Sequence, residues 1–450
     1  MSSLTEHIAA IDELAAFAAS LSYSDLPLPV RERLSLMLVD LLGVTAAGAR
    51  TPEMAKLAST WQAEPGAAPL VGAAAGTRPE TAAYLNAAAA CCLELDEGNK
   101  HAQGHPAVHV LFAAMAATQL AEHPVSGEQF LTAVAAGYEV AARFGRALDR
   151  NSAWHTHGHW GTTGAACAAA LILRAAQEQV AAAIDASTGL MHVTPWSVVL
   201  EGNFVRNFWA AGANLAGLNA ARLAMAGLAR NSGTAAHTLG EIVGSLDTQA
   251  LAWDLGRTWF IAKGYGKRHA SCSYTHVAVD LVQGLKQERD FGPDDVAAVL
   301  VRTHSLAEPL FARNPHNRLS AMFSFPFVVS AALLNARLEP AVLEPGTPGF
   351  QAANNFSERI TMEISPEFDH RLPAERWAEV RIDLHDGTSL SRAQPNPLGD
   401  VDYFPLGAAE IATKLVALIG RPDTDFIQAA VDQLQHSPDA KATLATLRAI

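Results

Sequence analysis

Apolar residues recur with a helical period over about the first 265 residues, and this pattern constrains the fold more than any other feature. Many of these segments carry alanine on several faces, which permits close packing and predicts mostly buried helices. The predicted helices include residues 30–47, 79–95, 106–121, 127–148, 163–177 and 212–228.

After about residue 270 the pattern changes to alternation, which is typical of strands, in DDVAAVLVRTHS, ERITMEIS and WAEVRIDLHDGTSLSR. Asp386-Gly387 is a hairpin signal, and helical periodicity returns near the C-terminus. The sequence therefore predicts a mainly α fold with a large all-helical domain and a smaller α+β lid domain. The predicted limits are 1–268 for the helical domain, 269–398 for the lid and 399–450 for the returning helices.

The composition describes a well-buried chain: 50% of the residues are hydrophobic, 17% are charged, and the net charge is −13. Such a chain is not predominantly disordered, and its charge argues against nucleic acid or an anionic membrane as a partner. An anionic substrate is still compatible, because the local field of a pocket can oppose the global charge.

The N-terminus predicts an ordinary first helix, with Ser3 and Glu6 as a capping box, and not a signal peptide. The longest apolar run, around AMFSFPFVVSAALL, contains Pro326 and is too short for a membrane span of about 20 residues. Adjacent Cys91 and Cys92 do not suggest a disulfide framework. These features predict a cytoplasmic protein.

Three short segments concentrate histidines with other acids, bases and anion binders: LELDEGNKHAQGHPAVHV, WHTHGHWGTTGAA and KGYGKRHASCSYTH. Histidine has an unperturbed pKa near neutrality, so convergence of these segments would form a proton-transfer site. The sequence therefore indicates an enzyme.

In the first segment, Pro106 suits a first helical turn and places His105 at or beside the N-cap. A helix N-terminus lowers the pKa of a histidine, so His105 is predicted to be a neutral base, while His109 is predicted to be a hydrogen-bonded core residue. The i, i+4 pair of His105 and His109 could bind zinc, but the glutamate of HExxH is missing and Pro106 distorts the turn. No metal is therefore predicted.

In the second segment, alternate spacing is expected to direct His157 and His159 roughly the same way. The helix start that follows, with the hydroxyls of Thr162 and Thr163, could hold a carboxylate. Thr163 capping the helix is an equally ordinary role.

The third segment concentrates positive charge, which suggests an anion site or a lysine with a lowered pKa. Its candidates are Lys267, Arg268, Cys272 and His276. Between the second and third segments, Arg206 and Asn207 interrupt an apolar stretch, and a buried arginine needs a carboxylate partner. No GxGxxG, P-loop, GxSxG or CxxC motif is present, which weakens dinucleotide, nucleotide, esterase and redox functions.

The chain resembles the MmgE/PrpD family over nearly its whole length, a family that includes 2-methylcitrate dehydratase, cis-aconitate decarboxylase and iminodisuccinate epimerase. The matching pieces are LELDEGN…GHPAVHV, HGHWGTTGAA, VRNFWAAGANLAG and the spacing of Lys267, Cys272 and His276. The resemblance implies a helical domain with an α+β lid, a homodimer, and no metal or organic cofactor.

By the same resemblance, His105 and His159 match the two active-site histidines of the family, and Lys267 matches the lysine of its third motif. Asp96, or Glu94 just before it, matches the acidic entry to the first motif. Lyases of the family commonly show D-D-T where this chain has Asp96-Glu97-Gly98, a lysine in place of Arg206-Asn207, and an aromatic residue and a proline in place of His269-Ala270. These departures favour the epimerase side.

The expected chemistry is proton removal and return at a carbon next to a carboxylate of a small di- or tricarboxylate. We expect His105 to face Lys267 or His159 across that carbon, with Arg206 and the helix start at Thr162 clamping the carboxylates. The best prediction is an iminodisuccinate epimerase-like isomerase. The alternatives are a lyase of the dehydratase or decarboxylase type, a metal-dependent lyase, and a non-catalytic helical interaction protein.

Overall fold

The computed structural model, which describes residues 3–335 and 337–450, is built mainly of α-helices. Those before residue 270 are α1 (Leu4–Ser20), α2 (Leu28–Ala49), α3 (Pro52–Trp61), α4 (Pro79–Cys91), α5 (Pro106–Leu120), α6 (Gly127–Ala147), α7 (Gly161–Ile172), α8 (Gln177–Ser187), α9 (Trp196–Leu200), α10 (Asn207–Met225), α11 (Thr234–His237) and α12 (Thr248–Ala252). Those after it are α13 (His276–Glu288), α14 (Arg318–Met322), α15 (Phe325–Leu334), α16 (Pro348–Phe356), α17 (Pro366–Asp369), α18 (Ala408–Ile419), α19 (Arg421–Leu434) and α20 (Ala440–Ala445).

The strands are short. They are β1 (Pro65–Pro69), β2 (Gly76–Thr77), β3 (Gly98–Asn99), β4 (Leu148–Arg150), β5 (Gly244–Leu246), β6 (Gly264–Tyr265), β7 (Val296–Thr303), β8 (Ile360–Ile364), β9 (Ala378–Leu384) and β10 (Ser389–Gln394). The mainly α class predicted from the sequence is thus confirmed. The predicted domain limits stay predictions.

Two helices begin with the capping boxes that their sequences encode. At α1, the Glu6 N–H donates to Ser3 Oγ over 3.3 Å and the Ser3 N–H donates to the Glu6 carboxylate over 2.6 Å. At α6, the same exchange joins Ser126 and Gln129. Each exchange satisfies two amide groups that the first turn of a helix leaves without partners.

The core of the helical region is centred on α7, which packs against α5, α6, α8 and α10. Alanine and glycine let these helices approach closely. A Cβ atom added at Gly164 of α7 would lie 2.3 Å from the carbonyl oxygen of Gly137 in α6. The alanine-rich periodicity therefore produces backbone-to-backbone packing, and α7 is buried along almost its whole length.

The predicted strands form one four-stranded sheet in the order β10-β9-β7-β8. β7 pairs in parallel with β8 and antiparallel with β9, and β9 and β10 form the predicted hairpin. Val380, Ile382 and Leu384 of β9 are buried as the alternation predicted, and Gly387 adopts a φ of +87° in the turn. Helix α13 packs against β9 and β10, while α15 packs against β8.

The C-terminal helices return to the helical region: α18 and α19 pack on α2, and α20 packs on α5. Within the described residues, no single helix combines the length and apolar character that a bilayer span requires. Helices α2 and α3 have sufficient length and apolar character only when they are counted as one segment, and their axes are bent by 73° relative to each other.

Candidate active site

A short sheet joins the first and third histidine-containing segments. β3 pairs antiparallel with β6, so that Gly98 lies opposite Tyr265 and Asn99 opposite Gly264. The second segment reaches the same place, because the Gly158 N–H donates to His109 Nε2 over 3.1 Å. A cleft opens where the segments meet, and it is lined by Glu94, Gln103, Gly104, His105, Arg150, His155, Thr156, Trp196, Arg206, Tyr265, Cys272, Ser273, Tyr274, Phe323 and Arg376.

Glu94 links the two predicted cations of the site. Its carboxylate forms an ion pair with Arg206 and another, of 2.9 Å, with Lys267 Nζ. Burial by itself would raise the pKa of Glu94, but Arg206 and Lys267 outweigh it and hold the pKa at about 2. This side chain is therefore a carboxylate at neutral pH, and its negative charge compensates much of the positive charge of Arg206 and Lys267.

Lys267 is fully buried, and its ammonium also lies 3.9 Å from Asp96. Burial opposes its charge, yet Glu94 and Asp96 raise the pKa of Lys267 above its ordinary value. The third segment suggested a lysine with a lowered pKa, but the surroundings of Lys267 raise its pKa instead. Lys267 is suited to donate a proton or stabilise negative charge, and not to act as a base.

The turn that carries Glu94 is strained. The predicted helix 79–95 ends at Cys91, four residues early, and Glu94 adopts a φ of +52° in the left-handed region. A residue with a Cβ occupies that region at an energetic cost, which the surroundings must offset. Here the offset comes from the ion pairs with Arg206 and Lys267.

His105 occupies the N-cap position of α5, as the sequence predicted, and lines the cleft. Its Nδ1 donates to the Glu97 carbonyl oxygen over 2.6 Å and lies 3.2 Å from Asp96 Oδ2. These acceptors fix the proton on Nδ1, so Nε2 keeps a free lone pair. Burial holds the pKa of His105 below its ordinary value, although Asp96 acts in the opposite direction. His105 is therefore a neutral base at physiological pH.

The turn behind His105 is held by a buried carboxyl group. Burial raises the pKa of Glu97 to about 8, so this side chain is largely protonated near neutrality. Its oxygens accept from the Tyr138 hydroxyl and from the Ala107 N–H, the latter over 3.2 Å. The Glu97 backbone carbonyl accepts the hydrogen bond from His105 Nδ1–H. Glu97 therefore positions both the start of α5 and the imidazole.

His155 is a cleft residue that the sequence analysis missed. Its Nδ1 accepts from the His157 N–H over 3.1 Å, which leaves the proton on Nε2. Burial, together with Arg206, lowers the pKa of His155 well below its ordinary value. The cleft thus holds two neutral imidazoles with complementary tautomers: the Nε2 of His105 can accept a proton, and that of His155 can donate a hydrogen bond.

His159 does not reach the cleft. Its Nε2 donates to the backbone carbonyl of His155 over 2.7 Å, and its ring packs near Trp154 and Trp160. The expected alternation is broken at Gly158, whose φ of +89° turns the chain. That glycine was the one signal in the sequence that could have separated the two histidines.

His157 is buried behind the cleft wall, with its ring centroid 4.9 Å from that of His105 and 4.8 Å from that of His155. The start of α7 is also occupied by protein contacts. Thr162 shares a hydrogen bond of 3.1 Å with Ser187, and Thr163 donates to the Trp160 carbonyl over 2.7 Å. The structure therefore does not place these residues where they would clamp a substrate carboxylate.

The other substrate-binding candidates are divided between the cleft and its surroundings. Cys272 lines the cleft, and burial raises the pKa of its thiol to about 11, so it is not a thiolate nucleophile. Asn207 contacts the Cys92 sulfur behind Arg206. His276 donates to the Ser271 carbonyl, outside the cleft lining.

Arg268 faces a different cavity. It lines a groove of about 850 Å³ between α13 and α18, together with His269 and Lys414, and its guanidinium lies 3.9 Å from Asp280. The groove is the larger cavity, but it contains neither the Glu94 network nor His105 and His155. We place the chemistry in the smaller cleft, because the perturbed acids and bases converge there.

Two arginines of the cleft also escaped the sequence analysis. The Arg376 guanidinium lies 5.3 Å from the Tyr274 ring centroid and 5.7 Å from that of Tyr265. Arg150 ends β4 and donates to the backbone carbonyls of Asn151 and Trp154. Neither residue belongs to a distinctive motif, so only the tertiary fold identifies them.

One group of side chains in the described chain has the spacing of metal ligands. Single ligand atoms of Asp96, His105 and His157 lie within 4.8 Å of one another. However, Nδ1 of His105 is engaged by Glu97, and the Lys267 ammonium lies 3.9 Å from the same Asp96 carboxylate. A cation in this position would be repelled by an adjacent buried cation, so these residues fit a metal ion poorly.

The sequence of this chain is similar to those of known proteins. The chain is 23% identical over 427 residues to a cis-aconitate decarboxylase of Aspergillus terreus (strain NIH 2624 / FGSC A1156), with 87% of this chain and 86% of the relative covered. It is 24% identical over 420 residues to the cis-aconitate decarboxylase-like protein oryM of Aspergillus oryzae (strain ATCC 42149 / RIB 40), with 86% of each covered.

Sequence models of two named domains match most of the chain. The MmgE/PrpD N-terminal domain matches residues 12–247, and the MmgE/PrpD C-terminal domain matches residues 269–432. The resemblance noted in the histidine-containing segments therefore extends over both regions, and this chain belongs to the MmgE/PrpD family.

Proposed function

We propose that this protein is a lyase of the cis-aconitate decarboxylase type, acting on a small polycarboxylate by proton transfer at the carbon next to a carboxylate. One observation carries the proposal: Glu94, whose carboxylate is paired with the charged Lys267, lines the same cleft as the apolar rings of Phe323 and Trp196. The names of the relatives favour this reaction over the epimerase predicted from the sequence departures.

In the proposed reaction, the substrate loses one carboxylate as CO₂. The electron pair of the broken C–C bond moves through the adjacent C=C bond, and the carbon next to a second carboxylate gains a proton. One proton is consumed and one CO₂ is released for each product formed. Lys267 is charged and is the source of the proton, which Glu94, 2.9 Å from its ammonium and in the cleft wall, passes to the carbon. The His155 Nε2–H stabilises the negative charge that develops on the carboxylate.

The apolar wall of the cleft supports loss of CO₂. Phe323 and Trp196 both line the cleft, with ring centroids 6.3 Å apart. A carboxylate facing the Phe323 ring would find no hydrogen-bond donor in that side chain, which favours its departure as a neutral molecule. Arg206, whose guanidinium lies 5.3 Å from the Phe323 ring, marks the polar side of the same wall.

The second candidate is the epimerase, and the tautomers in the cleft favour it specifically. His105 offers an unprotonated nitrogen, while Lys267 offers a proton, as removal and return at one carbon require. An epimerase needs no apolar surface beside a carboxylate, because no carboxylate leaves. The two candidates therefore share the cleft but differ in the product and in the roles of His105 and the apolar wall.

Proton NMR in D₂O with cis-aconitate, citrate, 2-methylcitrate and iminodisuccinate separates these candidates. Conversion of cis-aconitate to a deuterated acid one carbon shorter supports the decarboxylase. A new alkene from citrate or 2-methylcitrate indicates a dehydratase, and deuterium uptake with an unchanged skeleton indicates the epimerase. Absence of reaction and exchange across the panel contradicts the proposal and leaves the non-catalytic helical protein.

A further inference from the structure

The formal charges of the cleft do not balance. Glu94 and Asp96 lie beside Arg206 and Lys267, so two carboxylates compensate two cations. The histidines of the cleft are neutral near physiological pH because burial lowers their pKa values. Arg150 and Arg376 line the same cleft and add two further positive charges.

Arg376 is held in place without a carboxylate partner. Its Nη1 donates to Ser273 Oγ over 3.3 Å, and aromatic rings from Tyr265 and Tyr274 lie beside the guanidinium. Its Nε is buried and has no hydrogen-bond partner among the described residues. Only 8% of the residue is exposed, so a desolvated cation is presented to the cleft with unused donor capacity.

Arg150 has the same electrostatic character. Its Nη1 hydrogen bonds go to the backbone carbonyls of Asn151 and Trp154, which are neutral groups. The ion pairs found in the described part of the chain include none that involves Arg150 or Arg376. Asp400, an acidic side chain near Arg376 in the fold, is paired with Lys100 at 3.1 Å.

We propose that Arg150 and Arg376 are the specificity-determining residues that bind two carboxylates of the substrate. This inference rests on the proposed function and deepens it, because it names the residues that hold the carboxylates of the polycarboxylate substrate. Guanidinium groups suit this role, since their fork geometry matches a carboxylate and they stay charged at all relevant pH values.

The assignment changes the role expected of Arg206. That residue was predicted to clamp the substrate, but its guanidinium is already paired with Glu94. Arg206 instead holds Glu94 in its strained conformation, while the two unpaired arginines receive the substrate. The local surplus of positive charge also explains how a chain with a net charge of −13 can bind a polyanion.

Isothermal titration calorimetry on the full-length protein tests this inference with tricarballylate, a tricarboxylate that has no C=C bond and no hydroxyl to lose. We expect Arg150→Gln and Arg376→Gln each to weaken binding by about ten- to a hundredfold, as loss of a hydrogen bond to a charged group does. The matched control is Arg302→Gln, which removes the same charge from an arginine paired with Glu379 on the sheet, 2.8 Å away. It should bind tricarballylate as the unmodified protein does.

A second pair of probes separates carboxylate binding from a general loss of packing. Succinate and its monoamide, succinamate, differ by one carboxylate, and the unmodified protein should prefer succinate. Removing a carboxylate-binding arginine reduces this preference toward one, whereas loosened packing weakens both probes equally. Arg376→Lys, which keeps the charge but loses the fork, should fall between the unmodified protein and Arg376→Gln.

Three results would overturn the inference. Unchanged tricarballylate binding in both glutamine variants, or an unchanged preference for succinate over succinamate, rejects the arginine pair and leaves the proposed function standing. Failure of the unmodified protein to bind any of the three probes rejects the arginine pair and the polycarboxylate substrate together.

Discussion

Single residues set the chemistry of this site through the hydrogen bonds behind them. The proton of His105 is fixed on Nδ1 by the Glu97 carbonyl, 2.6 Å away, and only the opposite nitrogen is free toward the cleft. The sequence placed His105 correctly at a helix N-cap, because Pro106 marks a first turn. It could not distinguish His155 from His159, because that choice depends on how the loop turns at Gly158.

If the reaction is the epimerisation, in which His105 removes the proton, we expect His105→Ala to lower kcat by about 10²- to 10⁴-fold, the usual contribution of a positioned acid or base. The decarboxylation needs no base, so for that reaction the loss should be small. The imidazole lines the cleft and is not part of the packed core around α7, so the fold should survive. Steady-state kinetics on the substrate identified by NMR, with circular dichroism for the fold, would measure both effects. His385→Ala, at an exposed position after β9, is the matched control. Activity of His105→Ala near that of the control would contradict a role for His105 in proton transfer.

In the epimerase candidate, where His105 is the base, the pH dependence of the reaction should follow the same residue. Burial lowers the pKa of His105, so its base form persists at neutral pH and kcat/KM should fall as the pH drops through that lowered pKa. Asp96 opposes the lowering, so Asp96→Asn should move this acid limb to still lower pH. A pH profile of kcat/KM for both proteins would show the shift, with Asp383→Asn of β9, a partly exposed residue outside the cleft, as the control. A limb that moved to higher pH would show that another group controls it.

At the level of elements, the sequence predicted which segments are helical but not which of them touch. The helical period of residues 127–148 and the cap at Ser126 were sufficient to define α6. The pairing of β3 with β6 was not predictable, since two strands of two residues carry no periodicity. That pairing joins parts of the chain more than 160 residues apart and brings Lys267 beside Glu94.

Because α6 and α7 are in close contact, replacing Gly164 with a larger residue should lower the stability of the protein. In Gly164→Ala the new methyl group would lie 2.3 Å from the backbone oxygen of Gly137, and backbone atoms cannot move away as a side chain can. We expect the free energy of unfolding to fall by about 1–3 kcal/mol, as in other overpacked cores. Gly349→Ala, in α16, is the control because a methyl group there meets no atom within 4 Å. Urea denaturation of both variants would measure the difference, and equal stabilities would show that α6 and α7 can separate freely.

At the scale of the whole molecule, the cleft depends on the way the chain returns upon itself. Glu94 and His105 come from the helical region, whereas Phe323 and Arg376 come from the region that contains the four-stranded sheet. Helices α18 and α19 then pack back onto α2, so both ends of the chain belong to the helical region. The homodimer and the cytoplasmic compartment stay predictions, since they concern surfaces and surroundings beyond a single chain.

A ligand in this cleft should therefore stabilise both regions together. At a concentration of 100 Kd, tricarballylate adds about 2.7 kcal/mol to the folded state. For a chain of 450 residues unfolding in one transition, this corresponds to a rise in Tm of about 3 °C. Differential scanning calorimetry would show whether the whole endotherm moves, with the uncharged triamide of the same acid as the control ligand. If the helical and sheet-containing regions melt separately and only one transition moves, the ligand contacts a single region. In that case the cleft between them is not the binding site.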